Sequence, residues 1–118
     1  METAKDVQNQ KAFELILHAG NSKSSSMEAL ALTREGKYTE ADEKFKDANE
    51  EFNKAHEVQT SLLFESANGV SLQPDILLVH AQDHFTSAMV CLDLCQEMTM
   101  MMRQLNEITM KLSKEETL

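Results

Sequence analysis

A chain of 118 residues with 42% hydrophobic residues, one proline, three glycines and no tryptophan reads as a single helix-rich domain with enough material for a core. Its formal charge of −9 argues against a nucleic-acid backbone or an anionic membrane surface as partner, and favours a basic protein instead. No apolar run is long enough to cross a bilayer, and Met1-Glu2-Thr3-Ala4-Lys5 carries no signal-peptide pattern, so the expected location is cytoplasmic without direct membrane insertion.

The fold class that follows is all-α, an antiparallel three-helix bundle filling one domain over residues 1–118, with helices at about 6–34, 39–66 and 74–113. In the first helix, Val7, Phe13, Ile16, Leu17, Met27, Leu30 and Ala31 supply a helix-period apolar set. The weak helix formers Gly20-Asn21-Ser22-Lys23-Ser24-Ser25-Ser26 interrupt it. Because the periodicity resumes on the same face, the helix is expected to continue, straight or kinked. Gly36 supplies its stop.

The second helix is expected to open on Thr39-Glu40-Ala41-Asp42, a capping-box pattern with Asp in the usual place of Glu. Tyr38, Ala41, Phe45, Ala48, Phe52, Ala55, Gln59 and Leu62 then alternate at three and four, a narrow seam of interleaved small and large residues. Most remaining positions are charged or polar, as on a solvated outer face, and His56 sits beside the seam as a half-exposed packing residue. Asn68-Gly69 marks the one real loop. Pro74 suits the first turn of the third helix, and 114–118 reads as a frayed end.

The third helix carries two apolar faces. Leu78, Ala81, Phe85, Ala88, Leu92 and Cys95 form one; Cys91, Leu94, Met98, Met101, Met102 and Leu105 form the other. A three-helix monomer buries only one such face, so the second implies self-association. Cys91 and Cys95 read as a reduced pair, since they lack zinc-module spacing and further ligands.

The head of that helix, Leu77-Leu78-Val79-His80-Ala81-Gln82-Asp83-His84, holds the chemistry. Residues three and four apart share a helix face, about 5–6 Å apart at Cβ, so His80, Asp83 and His84 form one polar cluster continued by Ser87 and heading the second apolar face. Four readings are open from spacing: two satisfied packing histidines; a metal site gripped by the i, i+4 pair, without the His-Glu-x-x-His catalytic pattern or visible further ligands; a nucleophilic imidazole that takes up a phosphoryl group; or a pH switch. No Gly-rich phosphate loop, nucleophile elbow or glycosidase carboxylate pair supports another enzyme class.

The same segment resembles the signature of the lactose/cellobiose (lactose/N,N'-diacetylchitobiose) class of enzyme IIA of the bacterial sugar phosphotransferase system. Ile16-Leu17-His18-Ala19-Gly20-Asn21-Ser22-Lys23-Ser24 and the stretch from Asn49 to Leu62 resemble that family's first and second helices, so the likeness runs through nearly the whole chain in order. The resemblance implies a phosphotransferase component that assembles as a homotrimer. His80 would accept a phosphoryl group from the phosphocarrier protein HPr and pass it to a cysteine of enzyme IIB, with the membrane protein IIC carrying a disaccharide such as cellobiose or lactose. It implies supporting roles for His84 and Gln82. It also implies one Mg²⁺ per trimer on the three-fold axis, held by Asp83 shared between three subunits. Phe85-Thr86, where Leu-Met is common, and the Gln73-Pro74 approach depart from the family pattern. The sugar stays open, since a IIA does not touch it. The competing readings are an interaction module, because Leu32 to Ala41 resembles the turn of a tetratricopeptide-type hairpin, and a structural metal-binding helical bundle.

Overall fold

The computed structural model describes residues 1–116, all of its regular structure helical: α1 Ala4–Arg34, α2 Tyr38–Ala67 and α3 Ile76–Glu116. The helices form a rod of 75 × 22 × 20 Å. α1 is the middle member, packed along both α2 and α3, while α2 and α3 meet only sparsely.

Helix boundaries follow from where terminal backbone groups find partners. Thr3 caps α1 with a capping box, its Oγ1 accepting from Asp6 N–H at 3.1 Å while Asp6 Oδ2 accepts from Thr3 N–H at 3.0 Å. The capping box expected at Thr39–Asp42 is absent: Lys37 precedes the helix there and makes no side-chain cap bond. That helix start is fixed instead by the preceding stop. Gly36 adopts φ +80°, which lets Lys37 N–H reach Leu32 O at 2.9 Å and Gly36 N–H reach Thr33 O at 3.0 Å. Gly69, φ +85°, closes α2 the same way, with Val70 N–H on Glu65 O at 2.9 Å. α3 starts two residues later than Pro74, because Asp75 is its cap. At the other end it stays helical through Glu116, beyond the expected fraying from 114; residues 117 and 118 lie outside the described residues.

α1 runs unbroken through Gly20–Ser26, and of the apolar set expected to face inward Leu30 is buried and Ile16 packs on the core, but much of that set points outward. Phe13, Leu17 and Met27 are exposed by half or more, whereas Ala12, Leu15, Ala19, Ser22, Ser26 and Ala29 are almost fully buried. A helix sandwiched between two others can bring backbones close only with small residues on its contact line. Ser22 and Ser26 satisfy their hydroxyls locally, Ser22 donating to Ala48 O across the α1–α2 seam at 2.9 Å and Ser26 to Ser22 O at 2.8 Å. The expected α2 seam is the observed one at Ala41, Phe45, Ala48, Ala55 and Leu62, and Ala81, Ala88, Leu92 and Cys95 bury the first face of α3. The second face of α3 stays open in the chain, with Leu94 at 56% and Met101 at 67% exposure.

Candidate functional site

The loop before α3 is held by the start of α1. The buried Gln8 side chain pairs with the Gln73 backbone as a strand would, donating to Gln73 O at 2.8 Å and accepting from Gln73 N–H at 2.9 Å. Asp75 then caps α3, Oδ1 accepting from Leu78 N–H at 2.9 Å, while Lys5 pairs with its other oxygen. The Lys5 ammonium, with the Leu78 amide second, holds the Asp75 carboxyl below its ordinary range. These ties set the position from which the first turns of α3 project. Gln8→Leu should therefore cost about 1–3 kcal/mol through two lost bonds, read as a lower melting temperature with helicity retained.

On those first turns the structure brings His80 and His84 together. Their rings meet edge to face with centroids 4.5 Å apart, and the two Nε2 atoms are 3.0 Å apart. One imidazole donates and the other accepts, so the pair shares one hydrogen along that line. His80 is exposed and His84 half-buried. Asp83 lies on the same side, exposed, and with Asp75, Val79 and His80 lines an open depression of about 520 Å³. Gln82 turns away from the pair: its carboxamide exchanges two hydrogen bonds with that of Gln59, at 2.6 and 2.7 Å, and ties α3 to α2. Its contact with the histidines is through the backbone they share, which sequence spacing did not distinguish. Chemically the depression offers an accessible imidazole with its tautomer set by a second imidazole, the arrangement of a nucleophile toward a group brought in from solvent.

Asp83 at 0° on the α3 helical wheel falls in line with Val90, Leu94, Met98, Met101 and Leu105, all within about 60° at ~100° per residue. It is thus the carboxylate at the head of the exposed apolar stripe. Among the described residues no three His, Cys, Asp or Glu side chains converge within one chain.

Two further clusters belong to the scaffold. Phe52 stacks on Phe85 at 5.4 Å across α2 and α3; His56, exposed rather than half-exposed, lies parallel to both at 6.3 Å. Cys91 and Cys95 are free thiols 3.8 Å apart, and burial, with Cys91 adding, pushes the Cys95 thiol up to about 11. Between α1 and α2, at positions that residue spacing does not mark, Glu51 Oε2 accepts from His18 Nδ1 at 2.6 Å. The His18 contact, helped by Asn21 and Lys54, holds the Glu51 carboxyl below the ordinary 4.5. A depressed carboxyl means that the unfolded chain binds the proton first. The stabilisation is present above about the ordinary value and is lost as pH falls through the folded one. Glu51→Gln should flatten this acid limb, measured by urea unfolding between about pH 6 and 3.

The family model described as "PTS system, Lactose/Cellobiose specific IIA subunit" matches residues 10–103. A lichenan-specific phosphotransferase enzyme IIA component of Bacillus subtilis is 42% identical over 95 residues, 80% of this chain and 86% of that protein. The crystal structure of a cellobiose-specific enzyme IIA from Bacillus anthracis superposes with a TM-score of 0.83 at 38% identity, covering 91% of this chain and 95% of that one. The chitobiose IIA of Escherichia coli, solved in complex with HPr, matches with a TM-score of 0.72 at 26% identity over 84% of this chain and 96% of that one.

Proposed function

The chain belongs to the lactose/cellobiose-specific IIA subunits of the phosphotransferase system, and from that membership we propose that it is a cytoplasmic phosphoryl carrier working through His80. The observation that carries the reading is the exposed His80 imidazole, hydrogen-bonded to His84 at 3.0 Å at the open head of α3. With His84 donating, His80 holds its own proton on Nδ1, and its Nε2 lone pair accepts the His84 hydrogen until the phosphoryl donor docks and that hydrogen turns to a phosphoryl oxygen. That lone pair forms the new N–P bond as the donor's N–P bond breaks, and the donor leaves with its imidazole restored. His84 then has its N–H beside the incoming phosphoryl oxygens, where a donor to developing negative charge is worth most. Gln82 acts at one remove, fixing α3 against α2 through Gln59.

HPr is the proposed donor, supported by the E. coli relative solved with it. The proposed acceptor is a cysteine of an enzyme IIB, which serves a membrane IIC. The relatives carry lichenan, cellobiose and chitobiose in their names, so the class of sugar proposed is a β-linked disaccharide or short oligosaccharide. The test is incubation with phosphoenolpyruvate, enzyme I and HPr, followed by mass spectrometry: an acid-labile phosphate on a peptide containing His80 supports the reading.

The exposed apolar stripe is proposed as the seam of a homotrimer, and Asp83 as the ligand its three copies bring together. One chain contributes a single carboxylate, so the donor set fits a hard divalent cation only when shared, and oxygen ligands suit Mg²⁺. When bound, the ion neutralises three like charges that would otherwise repel at low dielectric. Asp83→Leu should remove both charge and ion, leaving trimer stability equal to or above that of the wild type, with His80 still phosphorylated. Metal content by elemental analysis and melting with and without chelator check this. Wild type free of metal, with melting indifferent to chelator, overturns the shared site.

A further inference from the structure

We propose that His80 and His84 form a chelating site for a borderline divalent transition-metal ion, Ni²⁺ or Zn²⁺ in class, and that its occupancy switches off phosphoryl acceptance. The two Nε2 atoms already converge at 3.0 Å on one face of a rigid helix. Imidazole nitrogens bind such ions at about 2.0–2.1 Å. Two nitrogens 3.0 Å apart and each that far from one ion subtend roughly 94° at it, the cis angle of an octahedral or tetragonal centre. A tetrahedral ion needs the rings to open by only a few tenths of an ångström, within the reach of the two side-chain torsions. His80 is exposed, so water can complete the shell, and Asp75 and Asp83, which line the depression beside His80, make the local field favourable to a cation. The pair replaces one shared hydrogen with one shared metal, with no repacking of the core, since His80 is exposed and His84 half-buried.

The consequence rests on the carrier reading, although the site does not. A lone pair bound to metal cannot form the N–P bond, so metal and phosphoryl group exclude one another at His80. The ligand class also separates this site from a shared carboxylate site at Asp83: nitrogen donors select Ni²⁺ or Zn²⁺, and Mg²⁺ does not compete for them.

The experiment uses the intact chain in buffer with millimolar Mg²⁺ throughout, titrated with Ni²⁺ and then Zn²⁺ by calorimetry. One ion per chain should bind the wild type at micromolar level, and His80→Ala and His84→Ala should each weaken that by roughly tenfold or more, since each removes one arm of a chelate. Circular dichroism confirms that the variants remain helical. In a second arm, preformed phospho-HPr is added with enzyme I removed. The wild-type transfer rate should fall as 1 + [M]/Kd, about tenfold when free metal stands at nine times Kd. The rate of His84→Ala relative to its own metal-free value should fall by no more than about twofold over the same range, since its Kd is about tenfold higher or more. No binding by the wild type, or binding unchanged in either variant, overturns the site. Binding that leaves the wild-type rate unchanged overturns the switch. Binding intact in a protein that accepts no phosphoryl group overturns the carrier reading and leaves the metal site standing.

Discussion

His80→Ala will take up no phosphoryl group from phospho-HPr, while its helix content and melting temperature stay close to those of the wild type. The loss is complete because the nucleophilic atom itself is removed, and no neighbouring group sits where His80 Nε2 does; His84 Nε2, 3.0 Å away, lies a turn further along and is half-buried. The fold is spared because His80 is exposed on a helix and alanine is the better helix former, so the expected stability change is within about ±0.5 kcal/mol. Phosphohistidine analysis by mass spectrometry decides it. A phosphate retained on the variant would move the acceptor to His84 and reverse the roles given to the two rings.

Leu94→Asp will convert the assembled protein to a monomer at micromolar concentration without unfolding the chain. Leu94 is 56% exposed in the single chain, so a carboxylate there stays hydrated and costs little. In a seam made by three copies of the same stripe the substitution puts three carboxylates into an apolar contact, a penalty of several kcal/mol per ion. Light scattering should give three times the 13.3 kDa chain mass for the wild type and one times for the variant. The groove of about 470 Å³ between Met98, Met101, Leu105 and Ile108 lies on the same stripe, one to four turns beyond Leu94, and should become accessible to an apolar dye in the variant. A wild type that is already monomeric removes both the seam and the shared Asp83 site.

Much of this architecture is readable from residue order because large and small apolar residues alternate at three and four along α2 and α3, and that pattern has one helical solution. The α2 seam from Ala41 to Leu62 and the buried line Ala81–Ala88–Leu92–Cys95 came through intact. α1 misled for a physical reason. Hydrophobic periodicity weights side-chain size, and the middle helix of a sandwich selects against size; its inner line, mostly small residues between Leu15 and Leu30, is faint on such a scale. Caps were ambiguous because Thr39–Asp42 and Thr3–Asp6 have the same spelling, and only the second has a free helix start to satisfy. The Gln8–Gln73 and Gln59–Gln82 pairs carry no local signal at all, since each joins positions far apart in the chain. The nearness of His80 and His84 was legible from an i, i+4 spacing, whereas the direction of Gln82, one residue off that face, was not.

α3 outruns its neighbours. Arg103 reaches Asp42 Oδ1 at 2.6 Å and covers the Tyr38 ring at 4.5 Å, and Asn106 donates to the Tyr38 hydroxyl at 2.9 Å; beyond that the helix continues to Glu116 with Ile108, Met110 and Leu112 exposed. A helical stretch from 107 to 113 whose side chains are all exposed is marginal in water, since too few contacts repay the ordering of its backbone. Its amides are therefore a built-in gauge. In a lone chain they should exchange with deuterium almost as fast as a random peptide, and in an assembled one they should slow by the free energy of whatever lies against them. Exchange rates at residues 107–113, compared with those of the buried turn around Leu92, would report the state of assembly without an attached dye, a cross-link or a change of sequence.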